Sequence, residues 1–520
     1  MNGAIAAGHR LTAEAGASIL AGGGNAVDAC VAAAFVSWVT ESPLTGPGAG
    51  GFMLVHRARD RADQLLDFFV AVPGRGLSGP AAAIEPVDVA FDRTTHQRFY
   101  VGPATCAVPG ALAGLSEAHR RYGSYPWREL VAPAAALARN GVKLNSAQAR
   151  LHAILDPILR REPDGRRVYG ARAARASGQE VVMHDLAETL EVIAEDGAAA
   201  LFGGELGRRV SDHVRERGGR ITADDLASYR VIRRVPVRTS FRGHELVSNP
   251  PPSSGGVLVA YALRLLDELG QVPERGTTAA LARIAAVMGE AARARGGRFA
   301  SDLHRGGLAS RLLSEVAISE ASARLRNGRA PGIAESPGLP STTHVSVVDS
   351  AGNAASLSSS TGAGSGVLVP GTGIHLNNML GEEDLAASGT RCGPGRRLTS
   401  MMSPSVVLRD GRPRLVVGSA GSARLRGAIV QIIANVVDYD LRVEEATAAP
   451  RIHLEGARLH LEGGIPAAAA DDLERLGYET VRWRSRNLFF GGASAVARTE
   501  HGELEAAGDP RRSGAGIVVS

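Results

Sequence analysis

Residues 341–349, STTHVSVVD, alternate apolar and polar side chains as a β-strand does, and the interpretation of the whole chain starts from them. Thr342 is our candidate nucleophile. A hydroxyl is a poor nucleophile at its ordinary pKa and needs a base nearby, and one solution is the α-amine of the same residue. That amine exists only if the chain is cut before Thr342. The alternative is that two β-branched residues simply begin a strand.

The residues before this stretch suit such a cut. Residues 326–340, RNGRAPGIAESPGLP, have the Gly, Pro and polar content of an exposed connection that tolerates cleavage. We therefore predict self-cleavage between Ser341 and Thr342. The products would be a large subunit of residues 1–341 and a small subunit of residues 342–520.

Composition limits the classes of protein to consider. The chain has 520 residues, of which 44% are hydrophobic and 21% charged, as expected for a globular protein with a large core. The formal net charge is +5, but no basic patch is interleaved with aromatic residues. Solvated Arg side chains explain the charge better than nucleic-acid binding does, so no nucleic-acid partner is expected.

The cysteines and apolar runs give further expectations. Cys30, Cys106 and Cys392 are widely separated and lack metal-ligand spacing, so we expect no disulfide framework, metal site or cofactor. The longest apolar run, near residues 29–39, is too short to cross a bilayer, so no membrane partner is expected. The first ten residues lack the pattern of a signal peptide. These features predict a soluble cytoplasmic protein.

The pattern of elements predicts a layered fold. Residues 26–39 form an apolar helix, residues 110–316 are mostly helical, and one strand at 235–247 interrupts them. After Thr342 the pattern changes to hairpins, 344–349 with 354–360 and 405–410 with 413–418. Such hairpins followed by packed helices indicate an α/β sandwich. The glycine-rich segment 45–51 lacks the Lys-Ser/Thr of a phosphate loop, so phosphate binding is a minor alternative.

Motifs along nearly the whole chain resemble those of the γ-glutamyltranspeptidases, which are N-terminal-nucleophile hydrolases. The motifs that carry the resemblance are GGNAVDA at 23–29, GPGAGGF at 46–52, AVPG at 107–110, NPPPSSGG at 249–256, TTH at 342–344 with Asp349, Gly352 and Asn353, PGTGI at 370–374, NN at 377–378 and GSAGS at 418–422. Their number and order make chance similarity a poor explanation.

The resemblance implies a fold and a set of roles. It implies a four-layer αββα sandwich in which the two subunits are interwoven, and it assigns the nucleophile to Thr342. Ser360 matches a family hydroxyl that supports the nucleophile, although a polar solvent face is the alternative. Backbone N–H groups of Gly421 and Ser422 would form the oxyanion hole, and Ser422 replaces a family Gly. Thr399 and Ser400 would bind the substrate carboxylate, with Ser400 the safer match because an extra residue within 401–404 leaves the alignment open by one position.

The departures from the family concern the acyl donor. Phe69 stands where the family has the Arg that grips the donor's α-carboxylate, so the bidentate guanidinium is missing. The family residues at two further positions bind the donor's α-amino group. Gly362 replaces an Asn at one of them, and Met379 replaces a Glu or Gln at the other. Glu382, Glu383 and Asp384 remain as possible amine ligands. Arg75 is a possible replacement for the lost cation, the alternative being a solvated Arg in a turn.

The sequence is compatible with three functions. The first is a self-cleaving Thr amidohydrolase or acyltransferase that moves a γ-glutamyl or related small acyl group to water or an amine. The second is a relative that uses the same Thr on a different acyl bond, even a carbon–carbon bond next to a carbonyl. The third is a non-catalytic scaffold. A dimer of heterodimers is an open possibility for the assembly.

Overall fold

The computed structural model describes residues 2–90, 96–328, 342–382, 393–422 and 424–520. Its α-helices are α1 (Arg10–Ala21), α2 (Ala26–Thr40), α3 (Ala111–Tyr122), α4 (Trp127–Asn140), α5 (Ser146–Ile154), α6 (Asp156–Leu159), α7 (Pro163–Tyr169), α8 (His184–Asp196), α9 (Glu205–Glu216), α10 (Ala223–Ala227), α11 (Gly255–Glu268), α12 (Thr278–Arg293), α13 (Phe299–Arg305), α14 (Leu308–Leu312), α15 (Glu315–Asn327), α16 (Arg424–Val437), α17 (Val443–Ala448) and α18 (Ala467–Arg475).

The β-strands are β1 (Gly3–Ala7), β2 (Gly50–Arg57), β3 (Ala62–Phe68), β4 (Glu85–Ala90), β5 (His96–Val101), β6 (Val142–Lys143), β7 (Glu180–Val181), β8 (Ile232–Arg234), β9 (Val237–Phe241), β10 (His244–Ser248), β11 (Thr342–Asp349), β12 (Ala354–Ser360), β13 (Leu368–Val369), β14 (Ile374–His375), β15 (Ser405–Arg409), β16 (Arg412–Ala420), β17 (Ile452–Glu455), β18 (Arg458–Leu461), β19 (Glu479–Arg482), β20 (Gly492–Arg498), β21 (Leu504–Gly508) and β22 (Ala515–Val519).

Two large antiparallel sheets form the centre of the molecule. The first has the strand order β22-β1-β11-β12-β2-β3-β8, and the second has the order β21-β20-β16-β15-β10-β9. Strands from before and after residue 342 are mixed in the first sheet, and in the second β9 and β10 join four later strands. The two predicted subunits are therefore interwoven in both sheets.

Three apolar clusters separate four layers. One packs α1, α2, α3, α4 and α8 on the outer face of the first sheet, and another packs α11, α12 and α16 on the outer face of the second. The third lies between the sheets. This order of helices, sheet, sheet and helices is the αββα sandwich that the sequence predicted.

The helix α2 shows how local sequence sets this architecture. Asn25 and Asp28 form a reciprocal capping box at its start, and every residue of the helix is buried. An apolar surface on all sides is stable only between other layers, so α2 must lie inside the helical layer. Among the described residues no helix is both long and apolar enough to cross a membrane.

One element of the sequence prediction differs from the structure. The single strand expected at 235–247 is wrong, because β9 and β10 form a hairpin that turns at Arg242 and Gly243, both with positive φ. An Arg in this conformation is not a recognisable turn signal.

Cys30 and Cys106 are buried and form no disulfide bond. Residues 329–341, Glu383, Asp384 and Cys392 lie outside the described residues.

Candidate active site

The site is built on the hairpin of β11 and β12. Thr342 is the first residue of β11 and lies directly opposite Ser360, the last residue of β12. Side chains of directly opposed residues lie on the same face of an antiparallel sheet, with Cβ atoms about 5 Å apart. Both residues are buried. The hairpin therefore brings the hydroxyls of the predicted nucleophile and its predicted supporting residue together.

A polar network continues from Thr342 along the face between the sheets. The His344 ring contacts Ser358 Oγ through Nδ1 at 2.8 Å and Ser346 Oγ through Nε2 at 3.0 Å. Ser346 Oγ donates to the carbonyl of Ser494 in the opposite sheet at 3.0 Å. Burial lowers the pKa of His344 to about 3, so the ring is neutral. The network orients β11 against the second sheet without adding a charge.

The second sheet delivers the Gly421–Ser422 turn to the Thr342 end of β11. Gly418 of β16 lies against the His344 ring, where a Cβ would overlap it, and Gly418 pairs with Ser494. Two residues further on, Ala420 pairs with Gly492. Gly492 lies against the stem of Arg512, whose Nη1 donates to the Thr342 carbonyl. The chain of β16 therefore runs from His344 toward Thr342, and the turn follows at that end of the sandwich.

The turn has the geometry of an anion-binding loop. Gly421 and Ser422 have positive φ values of 132° and 50°, and α16 begins at Arg424. Within the described chain, neither backbone N–H of these two residues donates to a protein acceptor. Two N–H groups next to a helix N-terminus can stabilise a developing oxyanion.

Ser360 also connects to the predicted amine-binding residues. Its Oγ accepts a hydrogen bond from Gly362 N at 3.0 Å, and Glu382 Oε1 accepts one from Ala363 N at 3.3 Å. Gly362 has a φ of 68°, and a Cβ there would overlap Asn378 Oδ1. The space next to residue 362, where the family has an Asn side chain, is therefore filled by Asn378 and Glu382.

The departures at Phe69 and Met379 belong to one apolar cluster. Both side chains are buried in the apolar cluster between the sheets, together with Leu398 and Met402. Phe69 stacks on Phe52 with ring centroids 5.4 Å apart. Two positions that are polar in the resembled family are thus apolar together in this chain.

Two arginines near this region, Arg75 and Arg397, each lie within 4 Å of a carboxylate. Arg75 Nε lies 3.9 Å from Asp225, and its side chain is 39% exposed, which favours the surface-Arg alternative over a donor ligand. Arg397 is buried over the Tyr229 ring, and its Nε lies 3.2 Å from Asp67. Asp67 also pairs with Arg234. No contact between described residues joins Arg75 to Thr342.

Ser400 lies in a segment that the NPPPSSGG motif supports. The Ser400 carbonyl accepts from Ser254 N at 2.7 Å and from Ser253 Oγ at 3.0 Å, and Ser400 Oγ accepts from Met402 N at 3.0 Å. Asn249 Nδ2 donates to the Met402 carbonyl at 2.9 Å. Thr399 is buried beside it. The motif therefore fixes the backbone that presents Thr399 and Ser400.

Sequence reasoning missed two charged residues beside Thr342. Glu41 accepts a hydrogen bond from Thr343 Oγ1 at 2.7 Å, and Arg512 Nη1 donates to the Thr342 carbonyl at 2.7 Å. An acid directly after the largely apolar helix α2 was the available signal for Glu41. Arg512 gave none, because its contact joins residues 170 positions apart.

Comparison with known proteins places these features in a family. The family model described as γ-glutamyltranspeptidase matches residues 12–519. The acylase ACY 1 proenzyme of Pseudomonas sp. (strain SE83) is 32% identical over 530 residues, covering 100% of this chain and 94% of that protein. The glutathione hydrolase proenzyme of Pseudomonas aeruginosa is also 32% identical, covering 99% and 94%.

The solved structures agree. The crystal structure of cephalosporin acylase from Bacillus halodurans has a TM-score of 0.86 and 25% identity, covering 99% of this chain and 95% of that one. None of these three relatives is named as a carbon–carbon hydrolase or a non-catalytic protein, so the comparisons do not favour those alternatives. The chain belongs to the γ-glutamyltranspeptidase family and is an N-terminal-nucleophile hydrolase/acyltransferase with the αββα fold.

Proposed function

We propose that the protein cleaves itself between Ser341 and Thr342 and then transfers an acyl group through an ester on Thr342. The observation that carries the proposal is the position of Thr342 at the first residue of β11, opposite Ser360 and at the same end as the Gly421–Ser422 turn. The relatives named as proenzymes support a precursor that becomes two subunits, here residues 1–341 and 342–520.

Self-cleavage uses the same groups as turnover. Thr342 Oγ1 attacks the carbonyl carbon of residue 341, the C–N bond breaks, and the amide nitrogen becomes the α-amine of Thr342. Water then hydrolyses the resulting ester and releases the carboxyl end of residue 341. Ser360, opposite Thr342, supports the hydroxyl during this step.

In turnover the new α-amine acts as the base. It takes the proton of Thr342 Oγ1 as the hydroxyl attacks the donor carbonyl, and it returns the proton to the leaving group. The N–H groups of Gly421 and Ser422 stabilise the tetrahedral oxyanion, and removing one such donor typically costs a factor of about 10² to 10³ in kcat. Water or an amine then attacks the ester carbonyl and frees Thr342.

For the donor we propose an amide whose acyl group carries an apolar or planar substituent near the scissile carbonyl. Phe69 and Met379 support this class, because the guanidinium and the polar group that grip a glutamyl moiety are absent at both positions. Sequence identity does not choose between donors, since an acylase and a glutathione hydrolase are equally similar to the chain. Glu382 stays as a ligand for an amine on the donor, and Thr399 and Ser400 as hydrogen-bond partners.

Intact mass spectrometry of the purified protein tests the nucleophile. We expect two species whose masses match residues 1–341 and 342–520, and one uncleaved species for Thr342→Ala. Thr342→Ser, which keeps a hydroxyl, should still be cleaved. A wild-type chain that stays whole, or that is cut elsewhere, would show that Thr342 is not the nucleophile.

A donor panel tests the specificity. We expect kcat/KM for a phenylacetyl anilide to exceed that for glutathione and for a γ-glutamyl anilide by roughly tenfold to a hundredfold, because each lost charge-assisted hydrogen bond is worth about 1.5–3 kcal/mol. Micromolar KM for glutathione with efficient hydrolysis would refute this donor class.

A further inference from the structure

Glu41 is an ionisable residue in a place that disfavours charge. It follows the wholly buried helix α2 directly and is itself only 5% exposed. Gly8 packs so closely on its carboxyl group that a Cβ there would overlap Oε2. Burying a carboxylate is costly unless its hydrogen bonds and charge are compensated. The cost of burying this carboxyl group next to Thr343 indicates that it has a role at the start of β11.

The start of β11 is paired with a neighbouring strand along one edge only. Residues 342–348 pair with β12, but β1 pairs with β11 only from Val345 onward. Residues 342–344 thus extend beyond the end of β1 on their other side. The Thr342 carbonyl accepts from Arg512 Nη1, and Thr343 Oγ1 donates to Glu41 Oε2. These two side chains hold the part of the strand that β1 does not reach.

Arg512 is itself fixed by its neighbours. It follows Arg511, whose buried guanidinium pairs with Glu462 and Asp509. Its stem lies against Gly492 at the start of β20, where a Cβ would overlap it. The guanidinium is therefore presented to the Thr342 carbonyl from the second sheet.

We propose that Glu41 and Arg512 form a positioning pair that fixes Thr342 for self-cleavage and acyl transfer. This inference rests on the proposed role of Thr342. After cleavage, residue 342 becomes a chain end, and strand ends fray unless they are held. A displacement of about 1 Å at a reacting atom can cost a factor of about 10² in rate. The two contacts act on the residue itself and on the next one, so they limit this displacement.

The test compares matched variants of one hydrogen bond. Glu41→Met and Thr343→Val each remove one partner of the bond, whereas Glu41→Gln keeps an acceptor and Thr343→Ser keeps the hydroxyl. We expect Glu41→Met and Thr343→Val to slow self-cleavage and to lower kcat at least tenfold with KM within about twofold, since neither residue touches the donor. Glu41→Gln and Thr343→Ser should recover most of both rates. Arg512→Met should lower them as Glu41→Met does.

The double variant Glu41→Met/Thr343→Val separates positioning from stability. Removing both partners leaves neither end of this hydrogen bond unpaired, so the melting temperature should recover from that of the single variants toward that of the wild type. The cleavage rate should stay at least tenfold low. As a control, Glu290→Met removes a buried acid of α12 that pairs with Arg293 and Arg324. It should lower the melting temperature and leave cleavage at the wild-type rate.

The outcomes are distinguishable. Cleavage and kcat that recover with the melting temperature in the double variant, or that fall equally in Glu290→Met, would overturn the positioning role and leave the proposed function intact. Wild-type rates in both Glu41→Met and Thr343→Val would do the same. A wild-type chain that is not cut before Thr342 would overturn the proposed function and this inference with it.

Discussion

At the residue scale, Ser422 carries a conformational cost that a glycine would avoid. Its φ of 50° is in the left-handed region, which costs an L-residue roughly 1 kcal/mol. Ser422→Gly should raise the free energy of unfolding by up to about 1 kcal/mol, the gain being reduced by the greater freedom of glycine in the unfolded chain. The backbone N–H remains, so kcat should stay within about twofold.

Denaturant unfolding measures this effect best in a Thr342→Ala background, where the chain is expected to stay whole. Turnover is measured with the Thr342 protein. A tenfold loss of kcat in Ser422→Gly would mean that the Ser hydroxyl takes part in the reaction, and the role of this residue would then extend beyond its backbone.

Glu41 makes stability depend on pH. Burial raises the pKa of its carboxyl group from about 4.5 to about 7, against the lowering effects of Thr343 and Arg512. Between these two values the unfolded chain has lost the proton and the folded chain retains it, so the free energy of unfolding falls as pH rises. The difference corresponds to about 3 kcal/mol, present in full below pH 4.5 and lost by about pH 7.

Glu41→Gln removes this titration. In the Thr342→Ala background, we expect the free energy of unfolding of Glu41→Gln to fall less between pH 4.5 and 7.5 than that of its parent, by about 3 kcal/mol. Chemical denaturation at several pH values provides the comparison. Parallel curves for the two proteins would show that Glu41 does not titrate in this window.

At the element scale, the packing of β16 on β11 depends on one glycine. Gly418 lies against the His344 ring, and a Cβ there would overlap the ring atoms. Gly418→Ala should therefore destabilise the protein by about 1–3 kcal/mol through overpacking. Gly46 is a matched control, because it is also buried but has no atom within 4 Å of an added Cβ.

Unfolding of both variants in the Thr342→Ala background checks this point. Gly46→Ala should remain within about 0.5 kcal/mol of its parent. If Gly418→Ala is as stable as Gly46→Ala, the two sheets are not held apart by the His344 ring, and the network from His344 to Ser494 does not set their spacing.

The same elements show what the sequence can and cannot predict. The alternation after Thr342 predicted the hairpin of β11 and β12, because that contact is local. The alternation did not specify the register, which the structure shows to place Thr342 opposite Ser360. The hairpin at β9 and β10 was missed, since its turn uses an Arg in a left-handed conformation. Arg512 and the joint burial of Phe69 and Met379 depend on contacts between residues far apart in the chain, which no local pattern encodes.

At the scale of the whole molecule, we expect Phe69 and Met379 to determine the choice of donor together. Phe69 and Met379 lie in one cluster, so restoring a single polar group would leave it unpartnered in apolar surroundings. We expect Phe69→Arg and Met379→Gln to give little γ-glutamyl turnover alone and more together. Steady-state kinetics with a γ-glutamyl anilide measures the gain. A double variant no better than either single one would mean that these positions do not face the donor.

Interwoven sheets also decide what happens after the chain is cut. The first sheet holds β1, β2, β3 and β8 from before residue 342 and β11, β12 and β22 from after it. Separating the two products would break the β1–β11, β1–β22 and β2–β12 pairings and expose the apolar cluster between the sheets. The cut should therefore leave the fold intact, because the peptide bond before Thr342 lies at a strand end and its loss breaks none of the described strand pairings.

The measurement compares native and denaturing conditions on the same cleaved sample. We expect size-exclusion chromatography with light scattering to give the same mass for the cleaved protein and for the uncleaved Thr342→Ala variant. Denaturing electrophoresis should resolve residues 1–341 from residues 342–520 in the wild type alone. Dissociation of the two products at neutral pH without denaturant would contradict the expectation, because the strand order leaves neither product a complete sheet of its own.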